Sequence, residues 1–389
     1  MFTKFCVLLA VFTVLVSVSG AQPVEDVQCT DSDPVVLSYD LVGEGVTSEV
    51  ELSDDSGASD TVAALSLSGD LGPSIVNGTD KRILCDVGAE RSGFTSDTMR
   101  FQLIASEGAS VSLPSGSFAL IPAGSFVMGD AFSEGNSNER PVHSVNVLSF
   151  YMGKHEVTWS LWLEVRDWAV SNGYSELSGV GCGKADTHPV HTVSWCDVVK
   201  WCNAASERAG LEPVYYVSQF GAVFRGGEVG SLYIDYKKQG YRLPTEAEFE
   251  KAARGGLCGK RFPWGDTISH ANANYCASAS YGYDASSGGY HSTFNDGDGG
   301  CTSPVGSFAA NGYGLYDIAG NVYEWCNDWY GSYSSTQQDD SARPTSGANR
   351  VLRGGGWYYY ATLCRVAYRY SGDPGVGSSR FGFRLALSQ

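Results

Sequence analysis

Apolar residues recur with a helical period in three stretches of the chain. From Thr158 onward, Trp162, Val165 and Trp168 fall along one face. Ser194 reads as an N-cap with Asp197 completing the box; Val198, Cys202, Ala205 and Ala209 form the apolar stripe, and Gly210 lies just past the end. The third helix is expected over Pro244 to Arg254, with Thr245 and Glu248 in capping-box spacing and Gly255-Gly256 to stop it. Its carboxylates Glu246, Glu248 and Glu250 read as favourable first-turn charge and a solvated face. The N-terminal part has no such period. Runs such as Glu49-Val50-Glu51-Leu52 and Met99-Arg100-Phe101-Gln102-Leu103 alternate, as half-buried strands of a small β-sandwich do. Past residue 256 both periods fade, and Tyr, Gly, Ser, Asn and Asp dominate 274–300. So long an irregular stretch needs something other than ladders to hold it, and metal and disulfides are the expected means.

At the start, Lys4, the apolar run Phe5 to Val18 and Ser19-Gly20-Ala21 read as a secretory signal over 1–21. The run is short for a membrane span. Charge then divides the rest. Residues 22–112 carry 17 Asp/Glu against four Lys/Arg, whereas 113–389 carry 26 against 21. An acidic β-sandwich-like domain over 22–112 and a larger domain over 113–389 are therefore expected, joined by a Gly/Ser linker near 107–117. A net charge of −17 argues against nucleic-acid and anionic-lipid partners. With 48 Gly among 389 residues and 12% aromatics, the composition suits a loop-rich fold packed by aromatic rings. Asn77-Gly78-Thr79 is read as a turn rather than a glycosylated sequon.

Ten of the 11 cysteines lie beyond the leader, an even number that fits an oxidising, secreted or periplasmic location. Cys29 with Cys85, and Cys276 with Cys301 across the Tyr/Gly/Ser-rich loop, are plausible bridges. Cys202 sits on a helix stripe and reads as buried. No C-x-x-C or His pair has zinc spacing, and His188 and His191 around Pro189 read as structural. Two clusters offer oxygen ligands for calcium. In Asp317-Ile-Ala-Gly320-Asn-Val322-Tyr-Glu324 two carboxylates flank a Gly-Asn turn; Asn274 with Asp296 or Asp298 forms the second.

Motifs from Gly124-Ser-Phe-Val-Met-Gly129 through His155-Glu-Val-Thr158, Pro189-Val-His-Thr-Val-Ser-Trp195, Gly240-Tyr-Arg-Leu-Pro-Thr-Glu-Ala-Glu-Phe249 and Pro263-Trp-Gly265 occur in order. Gly312-Tyr-Gly-Leu-Tyr-Asp-Ile-Ala-Gly-Asn-Val-Tyr-Glu-Trp325, Arg353-Gly-Gly-Gly-Trp357 and Gly382-Phe-Arg384 complete the series. Together they resemble the formylglycine-generating enzyme, or sulfatase-modifying factor, family over about residues 115–387. The leading segment is similar to the sandwich that precedes this domain in some exported bacterial proteins. The resemblance implies an irregular α+β, C-type-lectin-like fold with bound calcium. Asp317, Glu324 and the carbonyls of Gly320 and Val322 match one family calcium site; Asn274, the Tyr275 carbonyl and Asp296 or Asp298 match another.

Active members oxidise a sulfatase Cys to formylglycine with O₂ and copper held by two thiolates, a donor set suited to Cu(I). Here the second thiolate position is Cys364, but the first is Tyr359. Gly356 stands where the family has Ser, and Tyr323 where it has Trp. Around this departure Tyr358, Tyr359, Tyr360, Tyr368 and Tyr370 alternate with small residues, a paratope-like composition. Some proteins of this fold diversify that segment for ligand binding. The expectation is a calcium-stabilised binding or accessory module for an extracellular or periplasmic protein or glycan. The alternatives are a copper oxidase acting on a sulfatase through Cys364 and a further thiol such as Cys326, or another reaction on the same scaffold.

Overall fold

The computed structural model describes the backbone of eight strands between residues 13 and 107, and residues 117–388 apart from 228–231, 298, 336–337 and 340–343. Asn77, Asp298 and most of the expected linker lie outside the described residues. Contacts divide the chain into two compact units, Met1–Val111 and Ser112–Ser388.

The described residues of the first unit are all in strands: β1 (Thr13–Ser19), β2 (Val24–Thr30), β3 (Val35–Leu41), β4 (Val46–Ser53), β5 (Ser66–Gly69), β6 (Gly72–Ile75), β7 (Gly78–Asp86) and β8 (Arg100–Glu107). They form two four-stranded sheets, ordered β1-β8-β4-β6 and β2-β3-β7-β5. The alternating runs of the sequence pair with each other, Val50 opposite Leu103 and Glu51 opposite Gln102. Thr13–Ser19, within the expected leader, is an edge strand of the first sheet. Cys29 and Cys85 sit on β2 and β7, which flank β3 opposite Leu37 and Val35. Two strand spacings, about 9.5 Å, exceed the Cα separation a disulfide spans.

The second unit is α+β with short strands: β9 (Phe118–Ile121), β10 (Gly124–Met128), β11 (His143–Val147), β12 (Phe150–Gly153), β13 (Tyr215–Tyr216), β14 (Tyr233–Ile234), β15 (Tyr323–Trp329), β16 (Gln338–Asp339), β17 (Arg350–Arg353), β18 (Tyr370–Gly372), β19 (Phe381–Gly382) and β20 (Ala386–Ser388). Its helices are α1 (Trp159–Ser171), α2 (Trp195–Arg208) and α3 (Glu246–Arg254). The sheet that organises the site is β18-β17-β15-β19, in which β15 runs antiparallel to β17 and parallel to β19.

Each helix starts where its cap predicts. Thr158 accepts from the Leu161 amide, and Ser194 and Thr245 form reciprocal boxes with Asp197 and Glu248. Gly255 closes α3 at φ 56°, a left-handed conformation suited to glycine. In α1 the buried positions are Trp162, Val165 and Ala169, while Trp168 is only partly covered. Trp162 stacks on Trp201 of α2 with centroids 5.6 Å apart. With Trp195 and Trp325 they are among the largest fully buried side chains; each such ring contributes on the order of 2–3 kcal/mol.

Two expectations need correction. Glu246, Glu248 and Glu250 face no solvent: all three are buried. Arg242 forks Glu248 at 2.7 Å on both oxygens, Arg369 forks Glu246 at 2.6 and 2.7 Å, and Arg254 and Arg353 converge on Glu250. Arg254 is the i+4 neighbour of Glu250 on the helix itself, but Arg242, Arg353 and Arg369 come from the preceding loop and the C-terminal third, which helix periodicity cannot register. The irregular region, moreover, is not stapled by disulfides. Cys182, Cys196, Cys202, Cys258, Cys276, Cys301, Cys326 and Cys364 are all free, and Cys301 Sγ faces Lys184 Nζ at 3.1 Å instead of Cys276. Buried arginine forks tie the segments around it, with Arg365 on Glu139 at 2.7 and 2.9 Å and Arg384 on Glu324 at 2.6 and 2.8 Å. Such pairs gain little net energy over apolar packing, but leaving one member alone is costly, so they select one arrangement of loops.

Candidate functional site

The turn Asp317–Val322 enters β15 with Asp317 at φ 52°, Gly320 at φ 91° and Asn321 at φ 58°. A Cβ on Gly320 would lie 2.7 Å from the Asn274 carbonyl oxygen, so the two loops touch backbone to backbone there. Asn321 ties them. Its amide donates to the Asn274 carbonyl at 2.8 Å, its Oδ1 accepts from the Ser303 amide at 2.9 Å, and its Nδ2 donates to Glu156 Oε2 at 2.7 Å.

This arrangement buries Glu156, Asp317 and Glu324 near one another. Burial, with Asp317 and Glu324 adding their repulsion, pushes the Glu156 carboxyl well above the usual range. Burial pushes Asp317 up to about 6 and raises Glu324 as well. Arg384 is the nearby cation, and it is committed to both oxygens of Glu324. Asp317 Oδ2 accepts from the Gly306 amide at 2.5 Å, but Oδ1 is buried without a partner. A hard cation beside Asp317, with carbonyl oxygens of the turn, would satisfy that atom and offset the excess negative charge.

The second expected cluster is less convergent. Asn274 is buried and donates to the Cys301 carbonyl at 2.8 Å, and the Tyr275 carbonyl accepts from the His270 ring at 3.1 Å. The Asp296 carboxylate is exposed and pairs with Lys184. These partners leave that set poorly suited to a cation. Among the described residues, no three His, Cys, Asp or Glu side chains converge as a metal cluster.

Cys364 ends a 3-10 turn, Ala361–Cys364, and is buried against Phe262, Tyr275 and Ala361. Burial pushes its thiol up to about 12, so it stays neutral. Cys326 belongs to a different apolar cluster, beside Phe249 and Val351, and its thiol is also pushed well up by burial. A neutral Cys364 with Tyr359 in the other ligand position does not fit a two-thiolate copper centre.

The tyrosines split by side. Tyr359 turns inward, edge-on to Tyr323 with centroids 4.9 Å apart, and Tyr368 is half-buried on the same core. Tyr358, Tyr360 and Tyr370 are exposed at 41%, 48% and 38%. None of the three is loose: Tyr370 stacks on Tyr323 at 5.2 Å, Tyr358 packs edge-on against both Trp357 and Tyr359 at 5.5 Å, and Tyr360 leans on Tyr281 at 6.2 Å. Arg380 lies over the Tyr358 ring, 3.6 Å from its centroid. Periodicity had no means of finding Glu156, Asn321, Arg380 or Arg384. Glu156, Asn321 and Arg384 do lie inside the ordered motifs, His155-Glu-Val-Thr158, Gly312 to Trp325 and Gly382-Phe-Arg384, and Asn321 in the Gly-Asn turn between the two carboxylates, which is the signal the sequence offers.

Residues 106–389 match the family described as Sulfatase-modifying factor enzyme 1-like domain. The chain is 34% identical over 291 residues to a formylglycine-generating enzyme of Streptomyces coelicolor, covering 68% of this chain and 87% of that protein. It is equally 34% identical over 273 residues to the serine/threonine-protein kinase pkn1 of Chlamydia caviae, but spans only 37% of that protein's length. Among solved structures, Treponema denticola variable protein 1 is similar, at 31% identity and a TM-score of 0.55, over 70% of this chain and 95% of that one.

Proposed function

The chain belongs to the sulfatase-modifying factor family, whose irregular C-type-lectin-like fold its second unit shares, and from that premise we propose that it is an exported binding module rather than a copper oxidase. The observation that carries this reading is the exposed trio Tyr358, Tyr360 and Tyr370, held on an aromatic bed around a buried, neutral Cys364. Rigid aromatic anchors offer large contact area at low entropic cost, and small neighbours such as Ser371 and Gly372 let a ligand backbone approach. A protein ligand suits this composition.

Calcium fits the first carboxylate cluster. Asp317, with the carbonyls of Gly320 and Val322, would hold the ion, and Glu324 would stay oriented by Arg384. The ion would supply positive charge that the buried carboxylates lack, locking the turn beneath the tyrosine face. The set around Asn274, Tyr275 and Asp296 does not fit as well, and no calcium is assigned to it.

Two measurements test the reading. Incubated with a Cys-x-Pro-x-Arg peptide, Cu(I), O₂ and reductant, the chain should form no aldehyde detectable by mass spectrometry; aldehyde formation would restore the oxidase alternative. Peptides selected from a random phage-displayed library on the full chain should lose binding to the Tyr358→Ala/Tyr360→Ala/Tyr370→Ala variant. Retained binding by the variant would remove the tyrosine face from the function.

A further inference from the structure

Arg380 differs from the buried arginines around it. Arg242, Arg254, Arg353, Arg365, Arg369 and Arg384 each meet a glutamate. Arg350, which has no ion-pair partner among the described residues, is sealed between Trp195 and Trp329 and donates to the Asn327 carbonyl at 2.5 Å. Arg380 is neither paired nor sealed. Among the described residues no carboxylate lies within ion-pair distance of it, and its Nε is buried without a hydrogen-bond partner. Nη1 makes a long hydrogen bond, 3.5 Å, to the Tyr359 hydroxyl.

The position is nonetheless a built one. The Arg380 carbonyl accepts from the Tyr323 amide at 2.8 Å, which fixes the backbone at the start of β19. The guanidinium plane rests 3.6 Å from the Tyr358 centroid and 5.5 Å from that of Tyr359. Stacking of this kind holds the group without using its in-plane N–H donors. A half-desolvated cation with unused donors is a site for an anion, and a carboxylate matches the guanidinium fork in shape and charge. The exposed side chains of the same segment, Tyr358, Tyr360 and Tyr370, are aromatic, so one anionic group set among apolar ones is the complement.

We infer that the tyrosine face binds a polypeptide presenting one Asp or Glu carboxylate to Arg380, with flanking apolar side chains seated on Tyr358 and Tyr360. The inference rests on the binding-module reading and names the chemistry of its ligand. A polypeptide is favoured over an acidic glycan because the Tyr, Ser and Gly composition matches protein-binding loops.

Peptides selected from the phage library on the full chain are synthesised and titrated against the unaltered protein and the Arg380→Gln, Arg380→Lys and Tyr358→Ala/Tyr360→Ala variants. The melting temperature of each variant checks its fold. Selected peptides should share an Asp or Glu. Arg380→Gln should weaken them by about tenfold or more, with Arg380→Lys retaining part of the affinity. Replacing the peptide's Glu by Gln should give a similar loss, and the two changes combined should add little further. Acid-free peptides, or equal binding by Arg380→Gln, overturn the inference. If those peptides still fail on the tyrosine variant, the binding-module reading survives; if they bind it unchanged, both fall. Binding of an acidic glycan with no peptide enriched overturns the polypeptide assignment.

Discussion

At Asn321 and Gly320 the backbone leaves the ordinary regions so that two loops can meet. Gly320 sits at φ 91°, and a Cβ there would press to 2.7 Å from the Asn274 carbonyl. Gly320→Ala therefore meets both a left-handed backbone, costing about 1–2 kcal/mol, and a contact that only backbone movement relieves. The variant should lose at least about 2 kcal/mol in urea unfolding and loosen the region around Asn274 in hydrogen exchange. Unchanged stability would mean that the loops are not in backbone contact. Tyr359 and Tyr358 illustrate the opposite case, adjacent residues with opposite fates. Of three consecutive tyrosines in a turn, Tyr359 alone faces inward. Which of them turned inward depended on Tyr323, 36 positions away in sequence.

Helix α3 shows what an element contributes beyond its own period. Its capping box and terminal glycine are local features, and both stand where the sequence places them. It buries three carboxylates beside Phe249 and Ala252, because Arg242, Arg353 and Arg369 reach it from elsewhere and join Arg254 of its own last turn. Burial alone would raise the Glu250 carboxyl, yet Arg254, Arg353 and the Gly129 amide overcome that and hold it below the usual range. A depressed folded-state pKa makes this stabilisation present above about pH 4.3 and lost as pH falls below it. Glu250→Gln would leave Arg254 without a counter-ion and Arg353 with Glu246 alone, and should cost about 3–5 kcal/mol at neutral pH, read from the urea midpoint. A loss below about 1 kcal/mol would show the network to be dispensable.

Across the whole molecule, two linked equilibria follow from what the second unit buries. If a calcium ion rests at Asp317, EDTA dialysis should lower the melting temperature by several degrees, and added calcium should restore it. No shift on chelation would exclude the ion. The buried thiols of Cys202, Cys326 and Cys364 all have folded pKa values raised by burial, Cys364 to about 12. The folded protein then holds these protons where an unfolded thiol, with a pKa of about 8.5, releases them. Under reducing conditions stability should fall as pH rises from about 8.5 towards 12, and a melting temperature that held steady over that range would contradict the burial. What the sequence alone determined was local or serial: helix caps at Thr158, Ser194 and Thr245, alternation in Glu49 to Leu52, and the ordered motifs that mark the family. Those features are set by the period of the backbone or by neighbours a few residues away. Only the tertiary structure decided that Glu246, Glu248 and Glu250 are buried, that Cys276 and Cys301 stay unbridged, and that Arg380 lies unpaired among tyrosines. Each of those outcomes depends on a partner distant in sequence, and a side chain's burial or pairing is fixed by which distant groups the fold brings to it.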